Sequence, residues 1–447
     1  MSAEQNKNAK LEGVKGEWQE ILFSQATIIN PKVQLLRGTS YPFIDMGAIN
    51  GNLSYVSATK RRIFKGGGSR FITGDILMAR ITPCLENGKI SRFYSGSNTK
   101  EAHGSTEFIV VRGRDGISDS TYAYYLLKSK KVHEYAIAQM TGTSGRQRVP
   151  VGAFDHLKVK IPPLEEQKAI AHILGTLDDK IELNRRTNEM LEAMAQALFK
   201  FWFVDFGPVR AKMEGRWRRG QSLPGLPAHL FDLFPDRLVD SELGEIPEGW
   251  EVSQFTNTIE IIGGGTPKTS VAEYWGDEIP WFSVADTPSK SDMWVMDTEK
   301  KVTRKGIENS STKILPIGTT IISARGTVGK VALVGVPMAM NQSCYGLRSK
   351  VGSQGIFCHF VIRKLISVLQ QNTHGSIFDT ITRDTLGNIA VLIPPLDIID
   401  KFEIYTITLT NSIRENLNQS HTLAAIRDTL LPKLISGELR VKQTREE

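Results

Sequence analysis

The chain has 447 residues, 40% hydrophobic and 23% charged, so it is long enough for two or more domains with ordinary cores and too apolar for disorder to dominate. Lys and Arg number 55 against 48 Asp and Glu, a formal +7, which favours a polyanionic partner without requiring one. No run reaches the roughly eighteen apolar residues of a membrane span, and three cysteines with no C-x-x-C pair argue against a disulfide framework or a zinc site.

Met1 to Lys10 is polar and mixed in charge, which reads as a loose tail rather than a signal peptide and places the chain in the cytoplasm, away from any membrane. Cys84, Cys344 and Cys358 read as buried structural thiols. Residues 15–158 read as a first α+β region. Short strand-like runs such as Ile76-Leu77-Met78 and Phe108-Ile109-Val110-Val111 alternate with Gly, Ser, Asn and Thr turns, and Tyr122 to Gln139 is its best helical stretch. Basic and small polar residues collect between these runs. They are Lys60-Arg61-Arg62 with Lys65 and Arg70, then Arg80, Lys89, Ser105 and Thr106, then Ser144-Gly145-Arg146-Gln147-Arg148. Each cluster combines a charge suited to phosphate with hydroxyl or amide groups suited to a base edge, although a merely solvated surface has the same composition. Gly66-Gly67-Gly68 lacks the Lys-Ser/Thr tail of a phosphate cradle and reads as a turn.

Residues 159–204 open with Val159-Lys160-Ile161-Pro162-Pro163-Leu164-Glu165 and run into a helix, since a helix interior would reject the proline pair. Ile170, Leu174, Leu177, Ile181, Asn184, Asn188, Leu191, Ala195, Leu198 and Trp202 follow a 4-3 spacing, the register of a coiled coil. From Ile170 to Trp202 such a helix spans roughly 48 Å. Its narrow seam cannot bury its face alone. The connector, 205–246, is Pro- and Gly-rich and holds Arg216-Trp217-Arg218-Arg219, which suits a nucleic-acid contact and a linker role equally.

The chain then repeats itself. Val391-Leu392-Ile393-Pro394-Pro395-Leu396-Asp397 restates the proline-pair segment at a shift of 232 residues, and residues 391–439 form a second helix. Its seam is Phe402, Thr406, Leu409, Ile413, Asn416, Ser420, Leu423, Arg427, Leu430 and Leu434, with Ile426 expected inside where Arg427 leaves it. Asn184 and Asn416 occupy equivalent positions and are expected to meet, at a cost in stability but with a gain in register. Residues 247–390 restate the first region as a second α+β domain, with Ile356 to Gln371 as its helix. Gly74 to Arg80 answers Gly318 to Arg325, Gly88-Lys89 answers Gly329-Lys330, Tyr41-Pro42-Phe43-Ile44 answers Ile279-Pro280-Trp281-Phe282, and Gly16-Glu17-Trp18 answers Glu248-Gly249-Trp250. The candidate contacts here are Thr266, Lys268, Arg325, Thr327, Lys330, Asn341, Gln342, Ser376 and Arg383. Two unrelated helices, each packed on its own domain, is the plainer reading; the duplication favours two helices that pair with each other as a rigid spacer between two similar domains.

No catalytic constellation accompanies these features: there is no nucleotide-binding G-x-x-x-x-G-K-[ST] loop, no G-x-S-x-G elbow and no H-E-x-x-H, and Pro-Pro occurs only as Ile-Pro-Pro-Leu. The order of variable region, Ile161-Pro162-Pro163-Leu164-Glu165-Glu166-Gln167, long helix, Phe203 to Lys212, Asp240 to Trp250, second variable region and second helix resembles the specificity subunit of type I restriction-modification systems. Gly264-Gly265-Thr266-Pro267, Ile279-Pro280-Trp281 and Leu434-Ile435-Ser436-Gly437-Glu438-Leu439 strengthen the resemblance, which covers nearly the whole chain. The second proline pair departs from the first by carrying Ile398-Ile399-Asp400 in place of Glu166-Gln167-Lys168. The resemblance implies a non-catalytic reader of duplex DNA, with one recognition domain per half of an interrupted site, two long antiparallel coiled-coil helices that set the spacing and dock two methyltransferase subunits, and a restriction and translocase subunit that joins them. It implies no cofactor on this chain, with S-adenosylmethionine, ATP and Mg used by the other subunits. A self-contained modification enzyme and a coiled-coil scaffold that binds protein are the alternatives.

Overall fold

The computed structural model describes residues 17–96, 99–143, 145–288, 292–372 and 380–441. It divides into two compact units, Met1–Glu182 with His421–Glu447, and Leu183–Ser420. Each unit therefore combines one globular region with part of both long helices.

In the first unit a five-stranded sheet runs in the order Thr27–Ile29, Phe108–Gly113, Ile76–Ala79, Ile90–Phe93, Tyr55–Val56. Its central strands are buried on both faces, which is why their sequences are continuous apolar runs. Alternation then sorts the side chains. Leu77 and Val110 pack with Ile44, Phe71 and Ala102 of a second, four-stranded sheet, while Ile76, Met78, Ile109 and Val111 face the helices through Tyr122, Tyr125, Leu126 and Val132. The single helix expected over Tyr122 to Gln139 is two, Ser120–Lys128 and Lys130–Ala138. Ser129 breaks it by taking an extended backbone, and its hydroxyl donates to the Leu126 carbonyl at 2.6 Å.

The second unit repeats this sheet, in the order Ile259–Gly263, Cys344–Ser349, Thr320–Ser323, Val331–Val334, Trp294–Val295. Its smaller sheet has three strands, Lys301–Val302, Trp275–Phe282 and Ala339–Met340. In both units the strand that enters the proline pair is clamped to the beginning of its own region: Lys158–Ile161 pairs with Gln19–Leu22, and Ala390–Ile393 pairs with Glu251–Gln254. The partners Gln19 and Ile161 have their repeat images in Glu251 and Ile393. Cys344 and Cys358 are buried, whereas Cys84 is only half-buried. Among the described residues no helix is long and apolar enough to cross a membrane.

The long helices are Leu164–Phe203 and Leu396–Ser436, 40 and 41 residues. They run antiparallel within each unit. In the first, Arg440 bonds Glu166 at 2.8 Å and Arg427 bonds Asp178 at 2.7 Å; in the second, Asn416 bonds Asn188 at 2.9 Å and the Trp202 and Phe402 rings lie 6.1 Å apart. The buried line departs from the expected seam. Ile170, Leu174, Asn184, Asn188, Ala195 and Trp202 are buried, but Asp178, Glu192 and Phe199 take the interior while Leu177, Ile181, Leu191 and Leu198 are half-buried beside them. A helix that keeps about 3.6 residues per turn drifts off a 3.5-residue repeat, and this one also packs on globular regions, through Ile170 and Leu174 in the first unit and through Phe199, against Phe357 and Phe360, in the second. On the second helix Phe402, Thr406, Ile413 and Leu434 are buried, with Leu409, Leu423 and Leu430 half-buried.

Two expectations are corrected here. Ile426 is 43% exposed, and Arg427 remains inside because the Asp178 carboxylate meets it. Asn184 does not pair with the Asn416 side chain: its amide donates to the Asn416 carbonyl, Gln419 and Ser420, while the Asn416 amide reaches Asn188. Under the 232-residue shift Asn184 and Asn188 correspond to Asn416 and Ser420. The Asn184–Ser420 and Asn188–Asn416 contacts are therefore images of one another, which is what an antiparallel pair of repeated helices requires.

The connector is folded. Trp217 is buried, with its indole N–H donated to the Gln221 carbonyl at 2.8 Å, and Arg216 and Arg219 pair with Glu214 and Asp232.

Candidate nucleic-acid interface

Backbone ladders decide which loop residues meet. In the first unit the Ile76–Ala79 strand ends at Arg80, whose N–H donates to the Glu107 carbonyl at 3.0 Å and whose carbonyl accepts from Val149 at 2.8 Å. The Thr82 N–H donates to the Gln147 carbonyl at 3.0 Å, and the Gln147 N–H returns to the Thr82 hydroxyl at 3.1 Å. Arg80, Ser105, Thr106, Gln147 and Arg148 therefore share one rim, although they come from three distant stretches of chain. Arg146 is exposed beside them, whereas Ser144 lies outside the described residues.

The cations on this rim are unequal. Arg148 grips Glu107, an acid absent from the candidate set, with Nη2 2.7 Å from Oε1 and Nε 2.9 Å from Oε2. That hydrogen bond holds the Glu107 carboxyl below its ordinary range. Arg148 is thus a strut of the rim. Lys60 and Lys89 lie elsewhere, both on the Asp45–Ala48 turn: Lys60 pairs with the Asp45 carboxylate, keeping it below the usual carboxylate range, and Lys89 donates to the Met46 carbonyl at 3.0 Å. Arg61 sits on the exposed Lys60–Ile63 strand, its guanidinium bonded to the Ser40 carbonyl at 2.7 Å.

The second unit builds a corresponding rim. Ser105 follows Ile44 through a 3.0 Å backbone bond, and Asn341 follows Phe282 through one of 2.9 Å, so Ser105-Thr106 and Asn341-Gln342 are structural equivalents. In each pair the first side chain closes the turn, Ser105 accepting from the Glu107 N–H at 3.2 Å and Asn341 from the Ser343 N–H at 3.0 Å. The second is left exposed at the tip, and Gln342 meets the Thr266 hydroxyl. Gly264 is required here, because a Cβ would stand 1.9 Å from the Asn341 carbonyl oxygen. The Trp281 indole donates to the Gly265 carbonyl at 3.0 Å, which joins two motifs that are separate in sequence. Lys268 is exposed on the same loop.

Arg325, Thr327 and Lys330 follow the Thr320–Ser323 strand, where the Ser323 hydroxyl donates to the Thr327 carbonyl at 2.5 Å and accepts from the Lys330 N–H at 2.8 Å. All three are exposed. Arg383 begins the helix Arg383–Gly387, capped by the Thr382 hydroxyl, and neighbours Ile381, whose N–H bonds the Ala324 carbonyl at 2.9 Å. Ser376 lies outside the described residues. The same bonds correct the pairing of Arg80 with Arg325. Val149 donates to Arg80 as Ile381 donates to Ala324, and Arg80 donates to Glu107 as Ala324 donates to Ser343. Ala324 is thus the counterpart of Arg80, and Arg325 answers Ile81, which bridges Arg148 as Arg325 bridges Thr380.

Sequence comparison places these two units in a known context. The family model for the type I restriction modification DNA specificity domain matches residues 19–193 and again 247–419. The type I restriction enzyme HindI specificity subunit of Haemophilus influenzae is 28% identical over 90% of this chain and 95% of its own length. The MjaIX specificity subunit of Methanocaldococcus jannaschii is 27% identical over 74% of this chain and 71% of its own length. A crystal structure of the type I restriction-modification S subunit from M. genitalium has the same fold, with a TM-score of 0.55 at 15% identity, covering 97% of this chain and 98% of that one.

Proposed function

We propose, from the premise that this chain belongs to the type I restriction-modification DNA specificity family, a function in which each globular unit reads one half of an interrupted duplex DNA site. The chain is a specificity subunit, the non-catalytic part of its enzyme. In this reading the two long helices set the distance between the half-sites and dock two methyltransferase subunits, and restriction subunits complete the enzyme in the cytoplasm. S-adenosylmethionine, ATP and Mg enter through those other subunits.

One observation carries the reading. The two units share a strand order yet differ at equivalent rim positions, Ser105-Thr106 against Asn341-Gln342 and Arg80 against Ala324. A shared frame with different side chains is what two different half-sites demand. Sequencing that detects modified bases in the host genome should find a two-part motif with a fixed gap, lost when the gene is disrupted. The purified chain should bind duplex DNA with an affinity that falls steeply with salt, as counterion release requires, and should transfer methyl groups only with its partner. Salt-insensitive binding, or none, would favour a protein scaffold; methyl transfer by the homogeneous chain alone would make it an enzyme.

A further inference from the structure

We infer that Arg80 reads a guanine in one half-site, from a basic cleft of the first unit, and that the second unit makes no equivalent contact; this rests on the DNA-reading function proposed above. The cleft, about 530 Å³, brings Lys32, Gln34, Arg70, Arg80 and Thr106 around a floor that includes Phe108. Among the described residues its lining contains three cations and no carboxylate. A cavity so composed suits an electron-rich ligand.

The placement of Arg80 separates it from the other two cations. Lys32 and Arg70 are exposed, as phosphate contacts would be. Arg80 is half-buried, its backbone is fixed on both sides by Glu107 and Val149, and its Nε is buried with no hydrogen-bond partner among the described residues. Glu107, which feels the charge of Arg80, accepts its three side-chain hydrogen bonds from Arg148 and none from Arg80. Nε itself is closed to a ligand, so what Arg80 can offer the cleft is its terminal Nη groups, which no described residue bonds either. Guanine offers two acceptors, O6 and N7, on the major-groove edge, matched to the guanidinium fork, while Thr106 at the exposed tip and Gln34 can meet neighbouring edges. In the second unit the same backbone position carries Ala324, which offers no such donor.

The test uses the full-length chain and a duplex library in which both halves of the bipartite site are randomised. Wild-type protein should select one guanine in one half that Arg80→Ala ceases to select. Preference there should fall by about fivefold to a hundredfold, the range of a bidentate base contact, with all other positions of both halves retained. Arg80→Met keeps the aliphatic stem that packs in the cleft and should behave alike, with unchanged thermal melting. Arg70→Ala should instead weaken every sequence equally and lower the salt slope by about one. Retention of the wild-type motif by both Arg80 variants, or uniform weakening with the motif intact, overturns the assignment. Selection of no two-part motif by the wild-type chain would overturn the DNA-reading function itself.

Discussion

Asp178 is 3% exposed at the meeting of three elements: it accepts from the Tyr125 hydroxyl at 2.5 Å and from Arg427 of the opposite helix at 2.7 Å. Burial and the neighbouring carboxylate push the Tyr125 phenol far above its ordinary range, so it remains a donor. Removing one partner of a buried pair strands the other, which costs about 3–5 kcal/mol, whereas replacing both with apolar groups is often neutral. Asp178→Ala should therefore destabilise the first unit by about that amount in chemical denaturation, and Asp178→Leu combined with Arg427→Met should recover most of it. A double variant no better than the single one would show that Asp178 acts mainly through Tyr125. A second residue gives a pH signature. Burial, then Arg363, push the His359 ring from 6.5 down to about 3. Above pH 6.5 the ring is neutral in folded and unfolded chains and contributes no slope. Between pH 6.5 and about 3 only the unfolded chain takes up the proton, so stability falls as pH falls, by about 1.4 kcal/mol per unit. His359→Asn, which can retain the bond made by Nδ1 to Thr320 at 3.3 Å, should flatten that part of the profile; an unchanged slope would assign it to other groups.

Among elements, the long helices separate what spacing reveals from what packing decides. Leu174 and Ile413 are fully buried, whereas Leu177 is half-buried. Leu174→Glu or Ile413→Glu must place a carboxylate in an apolar interior, a cost of several kcal/mol, while Leu177→Glu can turn its carboxylate toward water. Thermal melts should rank the first two well below the third, and an equal loss would restore the strict seam. The existence of both helices is legible in the sequence because proline pairs start them and Asn184 falls on Asn416 in the repeat. The drift from Leu177 to Asp178 is not, because it depends on the straightness of the helix and on the domain it covers. The same limit applies to the rim. The clusters at Arg80, Thr106 and Gln147 are legible as composition, but Glu107 is 41 residues from the Arg148 it binds, and no local pattern announces that pair. Arg80 and Arg325 look alike along the chain because each closes a similar run. Only the backbone bonds show that Ala324 takes Arg80's place.

For the whole molecule, the decisive property is whether the halves can be reassigned separately. Each unit has its own core and its own clamp between the start of its region and the strand before its proline pair. Replacing residues 15–155 with the matching region of a relative should therefore rewrite one half of the recognised motif and leave the other half and the gap unchanged. A gap change should need the helices instead. The compact units meet the chain boundaries at Glu182–Leu183 and Ser420–His421, past Asp178 on the first helix and before Arg427 on the second. One heptad inserted at both boundaries preserves the Asp178–Arg427 and Asn188–Asn416 bonds and adds roughly 10 Å of rise, about three base pairs at ~3.4 Å each. The modified motif should then keep both half-sites and lengthen its gap by about that number. An insertion in one helix alone should abolish binding, because the antiparallel contacts cannot be made on both sides of it. If the paired insertion left the gap unchanged, the helices would not be the ruler; if the exchange of 15–155 rewrote both half-sites, the two units would act as one composite reader.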